Sequence, residues 1–75
     1  MGSIINNMTI SDWLKTTTKS LKVADIPSPR LDAELILANT LRKNRTYLHA
    51  HLDKEIDPRR LDIANARLDL RLDRV

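Results

Sequence analysis

The chain contains no cysteine and no phenylalanine, and its single glycine stands at position 2. The lack of cysteine excludes a disulfide framework and any thiolate metal site, and it fits a reducing, cytoplasmic setting. With no Phe, one Trp (Trp13) and one Tyr (Tyr47), the core must be aliphatic, built from Leu, Ile and Ala. One Gly and three Pro argue against a turn-rich β-sandwich or barrel. No apolar run approaches the roughly 18 residues that cross a bilayer, and the first residues lack the charged start and apolar stretch of a signal peptide. No membrane partner is expected. With Gly2 as the sole glycine, no Gly-rich loop can cradle a phosphate or a dinucleotide.

A length of 75 residues suits one small domain with a thin core. Met1-Gly2-Ser3 resembles the remnant of an expression tag, and Met8 directly precedes a helix start signal. Residues 1–7 are therefore read as a tag remnant or disordered lead, and 8–75 as one helical domain. The net charge is +3, from 13 basic and 10 acidic residues. A basic balance raises the prospect of an acidic partner or nucleic acid. The excess is mild and interspersed, which suits a solvated surface.

The periodicity predicts an all-α bundle of four to five short helices. The first begins near Thr9 or Ser11, with Thr9 and Asp12 spaced like a capping box. Ile10, Trp13, Leu14, Thr17, Leu21 and Ala24 then recur at helical spacing. The run Thr16-Thr17-Thr18 is a weak spot, because β-branched side chains lose rotamer freedom in a helix. Asp25-Ile26-Pro27 ends the helix. Ser28 is the expected N-cap of the second helix, with Pro29 in its first position. Its expected core stripe is Leu31, Leu35, Ala38 and Leu41, widened by Leu37, while Ile36 lies off the stripe and suggests cover on more than one side. Asn44 can cap a short third helix from Arg45 to about His51, with Tyr47, Leu48 and Ala50 apolar. Leu52 to Ile56 is a loop. Asp57 caps and Pro58 opens a last helix that runs to the end.

That last helix is four-sided. At about 100° per residue, Leu61, Ala64, Leu68, Leu72 and Val75 share an arc of about 80°. Ile63, Ala66 and Leu70 cluster opposite. Asp62, Asp69 and Asp73 form an acidic stripe on one flank; Arg60, Arg67, Arg71 and Arg74 form a basic stripe on the other. The second apolar face points to a further partner, or reflects only the exposed aliphatics common on any protein. Like charges face each other at i, i+4 in Arg67–Arg71 and Asp69–Asp73, a mildly unfavourable arrangement that a partner would offset. Arg60, Arg67, Arg71, Arg74, Ile63 and Leu70 are the candidate partner-binding residues.

No catalytic, cofactor-binding or metal-binding residue emerges. His49 and His51 are two apart, so on a helix they diverge and cannot share a metal as an i, i+4 pair would. Asp32 and Glu34 diverge likewise and form no acid–base pair. Glu34 is the one polar residue inside the second helix's apolar arc, with Arg30 four residues earlier. It is read as a partly buried ion pair or as a contact to a partner. The third helix is too short for a recognition helix, the last carries as much acid as base, and stacking aromatics are missing, which argues against nucleic acid.

Trp13-Leu14, the run Ile26-Pro27-Ser28-Pro29-Arg30-Leu31-Asp32-Ala33-Glu34-Leu35-Ile36-Leu37-Ala38, and Asn44-Arg45-Thr46-Tyr47-Leu48 together resemble the N-terminal domain of the release factor glutamine methyltransferases, the PrmC or HemK family. The resemblance spans Met8 to Val75 and is most specific from Pro29 to Leu37. It implies a small helical bundle that grips a class 1 peptide release factor. In such an enzyme a separate catalytic domain of the same parent chain binds S-adenosylmethionine and methylates the glutamine of the Gly-Gly-Gln motif. The family's Asn-Pro-Pro-Tyr motif and Gly-rich cofactor loop are not in this sequence, so no catalytic residue carries over. The competing classes are a free-standing nucleic-acid-binding module and a helical oligomerisation module.

Overall fold

The computed structural model describes residues 8–73. Residues 1–7, Arg74 and Val75, for which the sequence raises expectations, lie outside the described residues. Four helices follow in order: α1 (Ile10–Val23), α2 (Pro29–Leu41), α3 (Arg45–Ala50) and α4 (Pro58–Asp73). An isolated antiparallel bridge joins Thr9 to Glu55, and among the described residues there is no strand.

The start of α1 is fixed on two sides. Thr9 has extended backbone, and its side chain accepts the Asp12 amide at 3.1 Å, satisfying one of the N–H groups that a helix start leaves open. The Leu52–Ile56 loop satisfies others: Ile10 N–H donates to the Lys54 carbonyl and Ser11 N–H to the Leu52 carbonyl, each at 2.9 Å. The loop also sends Ile56 into the core. The expected face of α1 is buried, from Ile10 through Trp13, Leu14 and Thr17 to Leu21, with Ala24 packed against it. The Thr run has a local cost: the buried Thr18 hydroxyl has no hydrogen-bond partner among the described residues.

Both α1 and α2 end in the same hydrogen-bonded turn. Asp25 N–H donates to the Lys22 carbonyl and Ile26 N–H to that of Leu21; Arg42 N–H donates to the Asn39 carbonyl and Lys43 N–H to that of Ala38. This is the Schellman pattern, whose penultimate position is left-handed and favours glycine. Here that position holds Asp25 (φ 63°) and Arg42 (φ 59°). A side chain there costs about 1 kcal/mol. Ile26 and Leu21, both buried, supply the apolar contact that accompanies the motif.

Two expectations for α2 fail. Ser28 does not cap: its backbone is left-handed at φ 54°, and its side chain makes no cap hydrogen bond. A capping hydroxyl reaches the first-turn amides from extended backbone, and the short reversal out of α1 denies Ser28 that conformation. Pro29 does occupy the first turn as expected. The core stripe is right only in part: Leu37 and Ala38 are buried and Leu41 packs against the core as expected, but Leu31 and Leu35 do not. The buried residues are Ala33, Glu34, Leu37, Ala38 and Thr40, while Leu31 and Leu35 are 38% and 43% exposed. The reason is position: α2 packs against each of the other helices, α1, α3 and α4. A helix enclosed on several sides presents small residues where backbones approach, so its leucines do not define one inward stripe.

Asn44 caps α3 as expected, accepting the Tyr47 amide at 2.8 Å. Leu48 anchors α3 in the core and Tyr47 packs against it, but Ala50 is exposed. Asp57 accepts the Arg59 amide at 2.9 Å ahead of α4. Ala64 is fully buried, with Leu61, Leu68 and Leu72 against the core, so the expected inner arc of α4 faces inward.

Candidate partner-binding surfaces

Glu34 is only 2% exposed, yet it is charged and fully partnered. Arg30 Nε and Arg45 Nε each donate to one of its oxygens at 2.9 Å, and His49 Nε2 lies 3.2 Å away. Burial pushes the carboxyl up, but the hydrogen bonds from Arg45 and Arg30 and the attraction of His49 and Arg45 outweigh it, holding the group below its ordinary value of 4.5. Arg30, Arg45 and His49 are half-exposed, and Arg45 and His49 clamp α3 onto α2 through this carboxylate. Arg30 was expected from the i, i+4 spacing; Arg45 and His49 were not.

The histidines diverge as their spacing requires. His49 turns to Glu34, whereas His51 stacks on Tyr47 with ring centroids 4.1 Å apart. Among the described residues no group of acidic, histidine or cysteine side chains could hold a metal.

The candidate residues of α4 fall into distinct environments. Arg71 reaches across to α2, where Nη2 and Nε bond one oxygen of Asp32 at 2.8 and 3.2 Å. Arg60 Nη1 donates to the Thr40 carbonyl at 3.2 Å. Arg67 is exposed. Ile63 and Leu70 are exposed as well, Leu70 at 62%. Ala66, Asp69, Leu70, Leu72 and Asp73 line a shallow open depression beside the acidic stripe. On the same flank as that stripe, Asn65 accepts the Trp13 indole N–H at 2.9 Å and ties α4 to α1. Asn65 and Asp32 were missed from sequence. A polar residue at the edge of an apolar arc, opposite a buried Trp needing an acceptor, was the available signal for Asn65.

Residues 12–75 match the family described as the PrmC N-terminal domain. Over 49 residues the chain is 41% identical to a release factor glutamine methyltransferase of Koribacter versatilis (strain Ellin345), covering 65% of this chain and 18% of that relative. The chain thus spans under a fifth of the relative's length. No solved structure matches. With a four-helix architecture in place and a family match across most of its length, the chain belongs to the PrmC N-terminal domain family.

Proposed function

We propose that this chain is the release-factor-recognition domain of an S-adenosylmethionine-dependent protein-glutamine methyltransferase acting on the Gly-Gly-Gln glutamine of class 1 peptide release factors. The observation that carries this reading is the family match over residues 12–75, and the name of the similar Koribacter protein supports it. The domain works in the cytoplasm, joined to a catalytic domain in the same parent chain. No described helix is long and apolar enough to cross a membrane.

The residues here do not fit the cofactor. Gly2 is the only glycine, and the depression on α4 is shallow and flanked by Asp69 and Asp73. A methionine-derived cofactor with its adenosine needs an enclosing slot and close backbone approach. S-adenosylmethionine therefore belongs to the catalytic domain, and this domain contributes binding energy for the protein substrate.

The test compares the parent enzyme with and without residues 8–73, using an intact release factor and a short Gly-Gly-Gln peptide as substrates. Deletion should raise KM for the intact factor at least tenfold, leaving peptide methylation and cofactor binding in place. An unchanged KM for the intact factor, with cofactor binding preserved, refutes the reading.

A further inference from the structure

We propose that the outward side of α2 and the basic flank of α4 form one docking face for an acidic amphipathic helix of the partner protein. The proposal rests on the release-factor reading above and specifies the partner chemistry that the domain grips.

The cross-helix bonds fix the geometry. Asp32, near the start of α2, meets Arg71, near the end of α4; Thr40, near the end of α2, meets Arg60, near the start of α4. The helices are therefore antiparallel, and the basic flank of α4 lies on the Asp32 side of α2. Asn65 bonds Trp13 of α1 from the other flank, which places the acidic stripe away from α2. Charge segregated around one helix thus becomes charge segregated between two sides of the molecule.

The neighbouring surface of α2 is apolar and basic. At about 100° per residue, Leu31 and Leu35 fall within about 40° of one another, separated from Asp32 only by the exposed Asn39; Arg42 follows the helix, in the left-handed turn that ends it. Leu31 and Leu35 are 38% and 43% exposed and stand i, i+4, one above the other. The packing of α2 does not use them, because Ala33, Leu37, Ala38 and Thr40 make its buried contacts. A lone exposed leucine means little; a stacked pair on the side of α2 that the basic flank of α4 adjoins is a patterned surface. Asp32 is the acid on this face, and Arg71 already engages it. Arg42 and Arg67 donate to no side chain among the described residues and remain available to carboxylates.

Arg42 adds an independent observation. It occupies the left-handed position of the Schellman turn at φ 59°, where glycine fits with least strain. The fold carries an arginine in that strained position at the C-terminal end of α2, as it carries Asp25 at the end of α1. An acidic helix with an apolar stripe matches this face in both respects: its leucine-type residues cover Leu31 and Leu35, and its carboxylates meet Arg42 and Arg67.

The strain supplies a test that separates docking from folding. In the parent enzyme, Arg42→Gly should leave Tm unchanged or higher, yet raise KM for the intact release factor at least threefold and flatten its salt dependence. Leu35→Asp should raise KM at least tenfold, while Asp62→Asn on the opposite flank should not move it. Should deletion of residues 8–73 raise KM while Arg42→Gly and Leu35→Asp leave it unchanged, the docking face lies elsewhere and this proposal fails alone. If the deletion itself leaves KM unchanged, the recognition reading fails and takes the proposal with it. Two other results would overturn the proposal: concentration-dependent self-association abolished by Leu35→Asp, which assigns the face to a second copy, or RNA binding abolished by Arg42→Gly.

Discussion

Replacing Leu37 and Leu35 in turn by alanine separates the two faces of α2. Leu37 is completely buried, and truncation of such a leucine costs about 2–5 kcal/mol, from lost burial plus the cavity left behind. A chain of this length has roughly 4–11 kcal/mol of total stability. At about 4–8 °C per kcal/mol for a small domain, Leu37→Ala should lower Tm by at least about 8 °C, and the upper end of the range consumes most of the domain's stability. Leu35 is 43% exposed, so its removal opens to solvent and leaves no cavity. A little over half of the burial of the three removed carbons is lost, about 1.4 kcal/mol at roughly 0.8 kcal/mol per methylene. The higher helix propensity of alanine returns a few tenths. Leu35→Ala should therefore cost about 1 kcal/mol and shift Tm by at most about 8 °C. Thermal melts followed by far-UV circular dichroism decide the matter. Equal destabilisation by both substitutions would mean that α2 is rotated, with the Leu31–Leu35 stripe inward.

Three further outcomes follow from the cross-helix bonds. Glu34→Gln should cost about 1–3 kcal/mol, less than a fully buried pair because the arginine partners are half-exposed; since the native carboxyl titrates below 4.5, its contribution is intact above that value and lost as pH falls through the lowered native value, so a wild-type advantage that grows on acidification would contradict it. Asn65→Ala should cost about 1–2 kcal/mol by leaving the Trp13 indole N–H unpaired and should alter Trp fluorescence; an unchanged spectrum and Tm would remove the bond. A double-mutant cycle on Asp32 and Arg71 should return a coupling below about 1 kcal/mol, as expected of an exposed pair, and a coupling of several kcal/mol would show a far drier contact.

Where local chemistry dominates, the fold is legible in the sequence. Thr9, Asn44, Pro29 and Pro58 act at the helix starts that their types indicate, because capping and proline preference depend on the nearest few residues. The inner faces of α1 and α4 follow from periodicity, since each lies at the surface with one side to bury. Both failures in α2 have tertiary causes. Ser28 loses its capping geometry to the reversal that brings α2 against α1, and Leu31 and Leu35 lose the core to the small residues of a helix with three neighbours. Arg45 and His49 join Glu34 only because α3 packs beside α2, a relation that spacing within α2 cannot contain.

The candidate surface was legible in halves. A helical wheel separates the arginines of α4 from its aspartates, but it cannot say which flank adjoins which neighbour. That choice rests on Asn65 and Arg71. Asn65 sits at one edge of the inner arc and satisfies Trp13, a buried aromatic with a single donor to place. Arg71 sits at the other edge and reaches Asp32. Had the two flanks been exchanged, the aspartates of α4 would border Leu31 and Leu35, and an acidic side chain would face Asp32. The like-charge cost would then fall inside the fold, where Arg71 and Asp32 now attract. The same ordering sets the basic flank beside the exposed leucines. A fold that needs this orientation for its own packing thereby sets the basic flank of α4 on the α2 side of the molecule, with Arg42 at the end of α2. At that position the backbone favours glycine, and an arginine stands there at a cost to stability of about 1 kcal/mol.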